Sequence, residues 1–144
     1  MHDIETLIPH RRRMRLIEEL VEVDEGRCVT AAVAGPHWPL SEDHGVNPIV
    51  LIELVAQSIG AYFGVMNASE TGDEDGGARP GWLVGVKKAD FFLTSIPFGE
   101  RLTVTVRSLK EERNYVEVAG VVEIGSIVAG EIHLQVFRPV EQGE

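Results

Sequence analysis

The chain has 144 residues, 44% of them hydrophobic, which suits a single domain over residues 1–144 with a substantial core. Its formal net charge of −10 opposes nucleic acid binding, because a phosphate backbone is bound chiefly through Lys and Arg. The one cysteine, Cys28, has no partner for a disulfide within the chain, and no Cys and His cluster has zinc-site spacing. This spacing predicts no metal site, and no cofactor is expected either.

The ends and apolar stretches of the chain give no sign of a membrane or export signal. No stretch reaches the roughly 18 to 20 apolar residues that cross a bilayer. The first residues, Met-His-Asp-Ile-Glu, lack a basic segment followed by an apolar one. These features predict a cytoplasmic protein that does not bind membranes.

The first 34 residues predict a short helical turn and then two paired strands. The turn falls at residues 3–8, ahead of Pro9. Extended apolar patterns follow at about residues 14–23 and 27–34. Asp24-Glu25-Gly26 between them is typical of a hairpin turn, so these strands are expected to pair with each other.

Residues 35–48 are rich in Gly, Pro, His and Asp and predict an irregular loop. Loops of this length inside a compact domain tend to carry function. At the end of the loop, Asn47 suits the capping position of a helix. Pro48 suits the first helical position, where a backbone N–H is not needed.

Residues 48–66 predict a long buried helix, because they are apolar nearly all round. Glu53 and Gln57 interrupt this pattern and, four residues apart, share one helical face. A carboxylate is costly to bury unless a partner or cavity reaches it, so Glu53 is a candidate catalytic residue. The alternatives are a structural ion pair or a position facing solvent.

The remainder predicts a polar linker at residues 67–80 and then strands. The strands are predicted around Trp82–Val86, Leu102–Val106, Val116–Val122 and Ile132–Val140. Turns are predicted at Pro97–Glu100, Lys110–Asn114 and Gly125-Ser126. One helix followed by hairpins indicates an α+β domain with a mostly antiparallel sheet around the helix.

Two histidines, His37 and His44, lie in the loop before the helix, where either could be aimed at Glu53 as a base. For each, an ordinary surface position is the alternative. The other histidines are expected to be structural or terminal. The helix start near Ile49 offers backbone N–H groups and a positive dipole end, which suit a carbonyl oxygen that gains charge during reaction.

Four segments, in order along nearly the whole chain, resemble the 3-hydroxyacyl-[acyl-carrier-protein] dehydratases of the hot-dog superfamily. They are Leu7-Ile-Pro-His-Arg11 with Met14, Leu16 and Ile17; Glu53-Leu-Val-Ala-Gln57; Lys87-Lys-Ala-Asp-Phe91 with Ile96-Pro-Phe-Gly-Glu100; and Val128-Ala-Gly-Glu131. The second is similar to the family motif Glu-x-x-Ala-Gln, whose Glu is catalytic. The resemblance implies a hot-dog fold, in which the sheet wraps a long central helix.

The loop departs from the family pattern. The family places the His of His-Phe-Pro-Gly fourteen residues before the Glu, where this chain has Pro39. His37 lies sixteen residues before Glu53 and His44 nine. The shorter loop resembles a divergent dehydratase-like branch associated with aryl polyene-type biosynthetic clusters. The spacing from His44-Gly45 to Glu53 is also similar to that of hot-dog thioesterases.

The resemblance implies a hydro-lyase that converts a 3-hydroxyacyl thioester, carried by acyl carrier protein or coenzyme A, to the 2-enoyl thioester. His44, or failing it His37, would take the C2 proton, and Glu53 would protonate the departing hydroxyl. The residues expected to bind or support the substrate are Gly45, Val46, Ile49 and Gln57. A thioesterase or a non-catalytic acyl-binding subunit is the alternative function.

The same resemblance implies a homodimer whose site receives residues from both subunits. An acidic carrier protein would need a basic surface to dock. The candidates are the run Arg11–Arg15 and the pair Lys87-Lys88. For the arginine run, the alternative to a docking surface is an ordinary solvent-exposed face.

Overall fold

The computed structural model describes residues 15–71, 83–112 and 114–137. These residues form β1 (Glu19–Asp24), β2 (Arg27–Val33), α1 (Val50–Thr71), β3 (Leu83–Phe91), β4 (Arg101–Glu111), β5 (Tyr115–Ile124) and β6 (Ile127–Phe137). The strands make one antiparallel sheet in the order β1-β2-β4-β5-β6-β3. The predicted α+β architecture, one long helix against an antiparallel sheet, is confirmed.

The core lies between α1 and one face of the sheet, because each central strand alternates apolar with polar side chains. The buried members are Leu102, Val104 and Val106 on β4, Val116, Val118 and Val122 on β5, and Ile132, Leu134 and Val136 on β6. Residues between them, such as Thr105 and Glu117, lie on the outer face of the sheet and are only half-buried. The outer face is therefore the polar one.

Two glycines let the helix approach the sheet closely. A Cβ atom on Gly120 of β5 would lie 2.6 Å from Cγ1 of Val55, and one on Gly130 of β6 would lie 2.8 Å from Cδ1 of Leu51. Both distances are far below van der Waals contact, so any larger residue would push α1 off the sheet.

Polar contacts on the β2 side fix the rotation of α1 about its axis. The Ser58 hydroxyl donates to the Leu54 carbonyl at 2.9 Å and lies 2.7 Å from the Thr30 hydroxyl of β2, so Thr30 is the donor in that second bond. One helical turn further along, the Gly26 N–H donates to the Tyr62 hydroxyl at 2.8 Å. With Ser58 turned towards β2, helical geometry places Glu53 on the side facing away from the sheet.

Several predicted boundaries are right and several are wrong. The β1–β2 hairpin and the two-residue turn at Gly125-Ser126 are confirmed, with Gly26 at φ 84° and Gly125 at φ 61°. The helix continues to Thr71, so residues 67–71 are not linker; their polar composition does not stop a helix in the absence of Gly or Pro. β1 begins at Glu19, later than predicted, and β3 and β4 each extend further, to Phe91 and Glu111.

Several predictions fall on residues outside the described ranges. They concern the helical turn at residues 3–8, the arginines at 11–13, and His2 and His10, the terminal histidine and one of the two expected to be structural. They also concern the linker at residues 72–80 and the strand positions predicted at Met14, Trp82 and 138–140. Within the described ranges, no helix combines the length and apolarity needed to cross a bilayer.

We predict that Gly120→Ala lowers the free energy of unfolding by about 1–3 kcal/mol, because the new methyl group collides with Val55 on the helix. Urea unfolding of the purified chain measures this loss. Gly85→Ala is the matched control, since its Cβ would meet Phe137 at an ordinary 3.6 Å. Equal losses in the two variants would show that helix contact is not the cause.

Candidate active site

The start of α1 is capped as the sequence predicts. The Asn47 side-chain oxygen accepts a hydrogen bond from the Ile49 N–H at 3.0 Å, and its carbonyl oxygen accepts one from the Val50 N–H at 3.0 Å. These two N–H groups therefore already have partners, and a substrate carbonyl would compete with the cap for them. The positive end of the helix dipole remains at this point. The Ile49 side chain is exposed.

The loop before the helix is irregular, as predicted, but it is anchored at several points. Val46 and Ile96 exchange two backbone hydrogen bonds, of 2.9 and 2.8 Å. The Asn47 N–H donates to the carbonyl of Leu40 at 3.0 Å. Leu40 adopts a left-handed backbone, φ 63°, which is unfavourable for a residue with a branched side chain and persists only where the surroundings impose it.

Gly45 and Val46 are buried where the loop meets the β3–β4 connection. A Cβ on Gly45 would overlap the Ser95 hydroxyl and lie 2.6 Å from the Ile96 carbonyl oxygen, so only glycine fits. The Val46 side chain is fully buried in the core. Both residues hold the loop in place, and any contact of theirs with a substrate would have to come through the backbone.

The two candidate histidines are both exposed. The Glu42 N–H donates to the Gly45 carbonyl at 2.7 Å and closes a turn, with His44 at its tip. His37 lies earlier in the loop, with its ring folded over Gly35, whose added Cβ would lie 2.6 Å from the ring. His44 is thus carried by a fixed backbone that leads directly into the helix. The predicted role of either histidine as a base stays a prediction.

Glu53 and Gln57 are joined as their four-residue spacing predicts. The Gln57 amide nitrogen donates to Oε1 of Glu53 at 3.1 Å. The Gln57 amide oxygen accepts from the backbone N–H groups of Leu16, at 2.8 Å, and Ile17, at 3.4 Å. Because that oxygen must face two donors, the amide cannot flip, and its nitrogen must point at the carboxylate.

The two side chains differ in burial. Gln57 has no exposed surface, whereas Glu53 is only half-buried. The apolar pattern around Glu53 predicts deeper burial than the structure shows. The reason is the rotation of α1, which turns Leu51 and Val55 onto the sheet and leaves Glu53 on the opposite side. A half-buried carboxylate is reachable by a substrate.

Cys28, the one cysteine of the chain, is buried. Burial raises the pKa of the Cys28 thiol to about 12, so it is not a thiolate nucleophile at neutral pH. Across residues 15–71, 83–112 and 114–137, no three His, Cys, Asp or Glu side chains are grouped to hold a metal ion.

The sequence did not predict the contacts that hold the candidate site in place. The link from Gln57 to Leu16 spans 41 positions and uses backbone N–H groups, which carry no residue-specific signal. Gly45 packs against Ser95 and Ile96. Ile96 was noted only as part of a segment that resembles the dehydratase family, and nothing in that segment predicts its contact with Gly45. Gly45 was predicted from the sequence to bind or support the substrate, whereas the structure shows that it allows this close approach.

We predict that Gln57→Met lowers the free energy of unfolding by about 1–3 kcal/mol, because it leaves the buried N–H groups of Leu16 and Ile17 without their acceptor. Thermal and urea unfolding measure the loss. Gln135→Met is the matched control, because Gln135 donates only to Glu117 on the outer face. A Gln57→Met chain as stable as this control would refute the role of the amide oxygen.

Residues 2–144 match the model of the ApeP-like family, described as ApeP dehydratase. The chain is 32% identical over 146 aligned positions to the 3-hydroxyacyl-[acyl-carrier-protein] dehydratase FabZ of Mannheimia succiniciproducens, with 95% of this chain and 91% of that enzyme covered. It is 28% identical to FabZ of Histophilus somni strain 2336, with 94% and 89% covered.

The fold is similar to that of the dehydratase heterocomplex ApeI:P from Xenorhabdus doucetiae, with a TM-score of 0.83, 16% identity, and 98% of this chain and 93% of that chain covered. A hypothetical thioesterase with coenzyme A from Streptococcus pneumoniae matches with a TM-score of 0.62, 10% identity, and 87% and 88% covered. At these identities the structural matches show the hot-dog fold alone. The family match and the FabZ relatives go further: the chain belongs to the ApeP-like dehydratases and is a hydro-lyase of the 3-hydroxyacyl-[acyl-carrier-protein] dehydratase type.

Proposed function

We propose that the chain removes water from a 3-hydroxyacyl thioester, carried on acyl carrier protein, to give the 2-enoyl thioester, with Glu53 as the catalytic acid. The observation that carries this proposal is the Glu53 carboxyl group, half-buried on a largely apolar helix and held at 3.1 Å by the Gln57 amide. A fixed carboxyl group at the edge of an apolar core suits proton transfer to a bound substrate. The carrier is proposed because the FabZ relatives are named for it.

In the proposed reaction a histidine takes the proton from C2 of the substrate. The electron pair of that C–H bond forms the C2–C3 double bond as the C3–O bond breaks. The leaving hydroxyl receives the proton of Glu53 and departs as water. The histidine ends protonated and Glu53 ionised, and proton exchange with solvent restores both groups before the next turnover.

His44 is the proposed base, because its turn is closed and anchored next to the helix. It is exposed, and the side of α1 that carries Glu53 is also only partly covered by the described residues. A second copy of the chain that covers this side would exclude water and bring a His44 towards Glu53. The proposal therefore includes a homodimer with a site at its interface.

Thioester hydrolysis is the second candidate function. The observation in its favour is the His44-Gly45 pair nine residues before Glu53, a spacing similar to that of hot-dog thioesterases. In that reaction Glu53 would activate a water molecule that attacks the thioester carbonyl. The two functions release different products from one substrate, so a single mixture separates them.

We predict that Glu53→Gln lowers kcat for dehydration at least about a hundredfold, because the amide has a similar shape but no transferable proton. A 3-hydroxyacyl thioester of acyl carrier protein is incubated with the enzyme, and enoyl absorbance and free thiol are recorded together. Enoyl product lost in the variant supports the proposal.

Glu123→Gln is the matched control, since Glu123 lies on β5 at the outer face of the sheet and should leave kcat within about twofold. Free thiol without enoyl product would favour the thioesterase. Ligand protection against heat with neither product would indicate a non-catalytic acyl-binding subunit.

We predict that His44→Ala lowers kcat by at least about a hundredfold as well, through loss of the base that removes the C2 proton. Exchange of the substrate C2 hydrogen with solvent deuterium, followed by mass spectrometry, reports that step directly. His133→Ala on the outer face is the control. Should only His37→Ala abolish exchange, the base is His37; should neither variant do so, the histidine mechanism fails.

A further inference from the structure

The first turn of α1 has no open backbone donor for a substrate carbonyl. The N–H groups of residues 50–52 donate to the carbonyl oxygens three residues earlier, at 3.0, 2.9 and 3.0 Å. The Ile49 N–H donates to the Asn47 side chain at 3.0 Å. Pro48 has no N–H at all. The donors that a helix start usually leaves open are therefore used or missing here.

The last three residues of the loop offer no exposed backbone donor either. The Val46 N–H donates to the Ile96 carbonyl at 2.9 Å, and the Asn47 N–H donates to that of Leu40 at 3.0 Å. Gly45 is buried against the β3–β4 connection. A thioester oxygen that arrives at this end of the helix is therefore best served by a side chain.

The Asn47 amide can supply that donor. Its oxygen faces the Ile49 N–H, so the amide cannot flip without setting its nitrogen against another donor. The nitrogen thus points away from the helix backbone, and it has no hydrogen-bond partner among the residues that the structure describes. The side chain is only half-buried, so a substrate can reach it.

The amide lies at the end of the helical face that carries Glu53. Ile49 stands four residues before Glu53, one turn earlier on that face and about 6 Å along the axis. Because Asn47 bonds the Ile49 N–H, its amide continues this line beyond the helix. The Glu53 side chain leans back towards the helix start, as helical side chains do, which shortens the gap. A substrate with its carbonyl on C1 and its hydroxyl on C3 can span such a gap with a hydrogen bond of about 3 Å at each end.

We propose that the Asn47 amide nitrogen donates a hydrogen bond to the thioester oxygen of the substrate while Glu53 acts on the C3 hydroxyl. The thioester oxygen gains negative charge as the C2 proton leaves, and a fixed donor stabilises that charge. Asn47 then has two functions, since its oxygen holds the helix start and its nitrogen holds the substrate. This inference rests on the thioester substrate of the proposed function. It does not rest on the product, because hydrolysis would place charge on the same oxygen.

The test removes the donor and keeps the cap. Asp and Ser cap helices as well as Asn does, but neither carries an amide nitrogen. In the full chain, Asn47→Asp and Asn47→Ser should keep the urea midpoint of the wild type and lower kcat about a hundredfold or more, with a much smaller change in KM. Asn47→Ala also removes the cap, so it should lower both kcat and the midpoint. Asn114→Asp is the matched control, because it makes the same charge change in the exposed turn between β4 and β5 and should leave kcat within about twofold.

The wild type is assayed first, with enoyl product and free thiol recorded together. If it releases thiol without enoyl product, the proposed dehydration fails, and the same loss in the Asn47 variants is then expected in the rate of thiol release. The inference is overturned if both cap-keeping variants retain the wild-type kcat. It is equally overturned if only Asn47→Asp loses activity, since the added charge would then be the cause, or if activity falls only where the midpoint falls. A wild type that forms neither product overturns both the proposed function and this inference.

Discussion

The Gln57 amide is the constraint on which the candidate site depends. It is fully buried, its oxygen takes the N–H groups of Leu16 and Ile17, and its nitrogen is thereby committed to Glu53. A buried amide with an unmade hydrogen bond is costly, so the segment entering β1, the helix and the carboxylate must hold their positions together. The orientation of one half-buried acid is thus set by main-chain groups 36 or more residues away in the sequence.

This arrangement requires α1 to lie at a fixed distance from the sheet and at a fixed rotation about its own axis. Gly120 and Gly130 set the distance, because only glycine leaves room for Val55 and Leu51 against the sheet. The Thr30–Ser58 contact sets the rotation. With both fixed, the side of the helix opposite the sheet carries Glu53, and the sheet itself contributes no residue to the proposed chemistry. The strands act as a frame that holds the helix.

The sequence predicted what periodicity and composition can encode. Alternation gave the strands, Asn47-Pro48 gave the helix start, and an isolated carboxylate in an apolar helix singled out Glu53. Sequence patterns did not predict the features that depend on contacts between residues far apart in the chain or on backbone groups. The helix end at Thr71 was missed because polar residues are compatible with helix, and the depth of Glu53 was overestimated because periodicity does not show how the helix is rotated. The choice of candidate base was left between His37 and His44, because an irregular loop has no sequence period that would predict where its side chains point.

The side of α1 that carries Glu53 is only partly covered by the described residues. The loop before the helix is held by backbone hydrogen bonds at Val46 and Asn47, so the same backbone that leads into the helix also sets where His44 stands. In the homodimer of the proposed function, a second copy would cover Glu53 with one such loop. The approach of a histidine to the carboxylate would then depend on how rigidly those backbone contacts hold the loop, and not on the sheet.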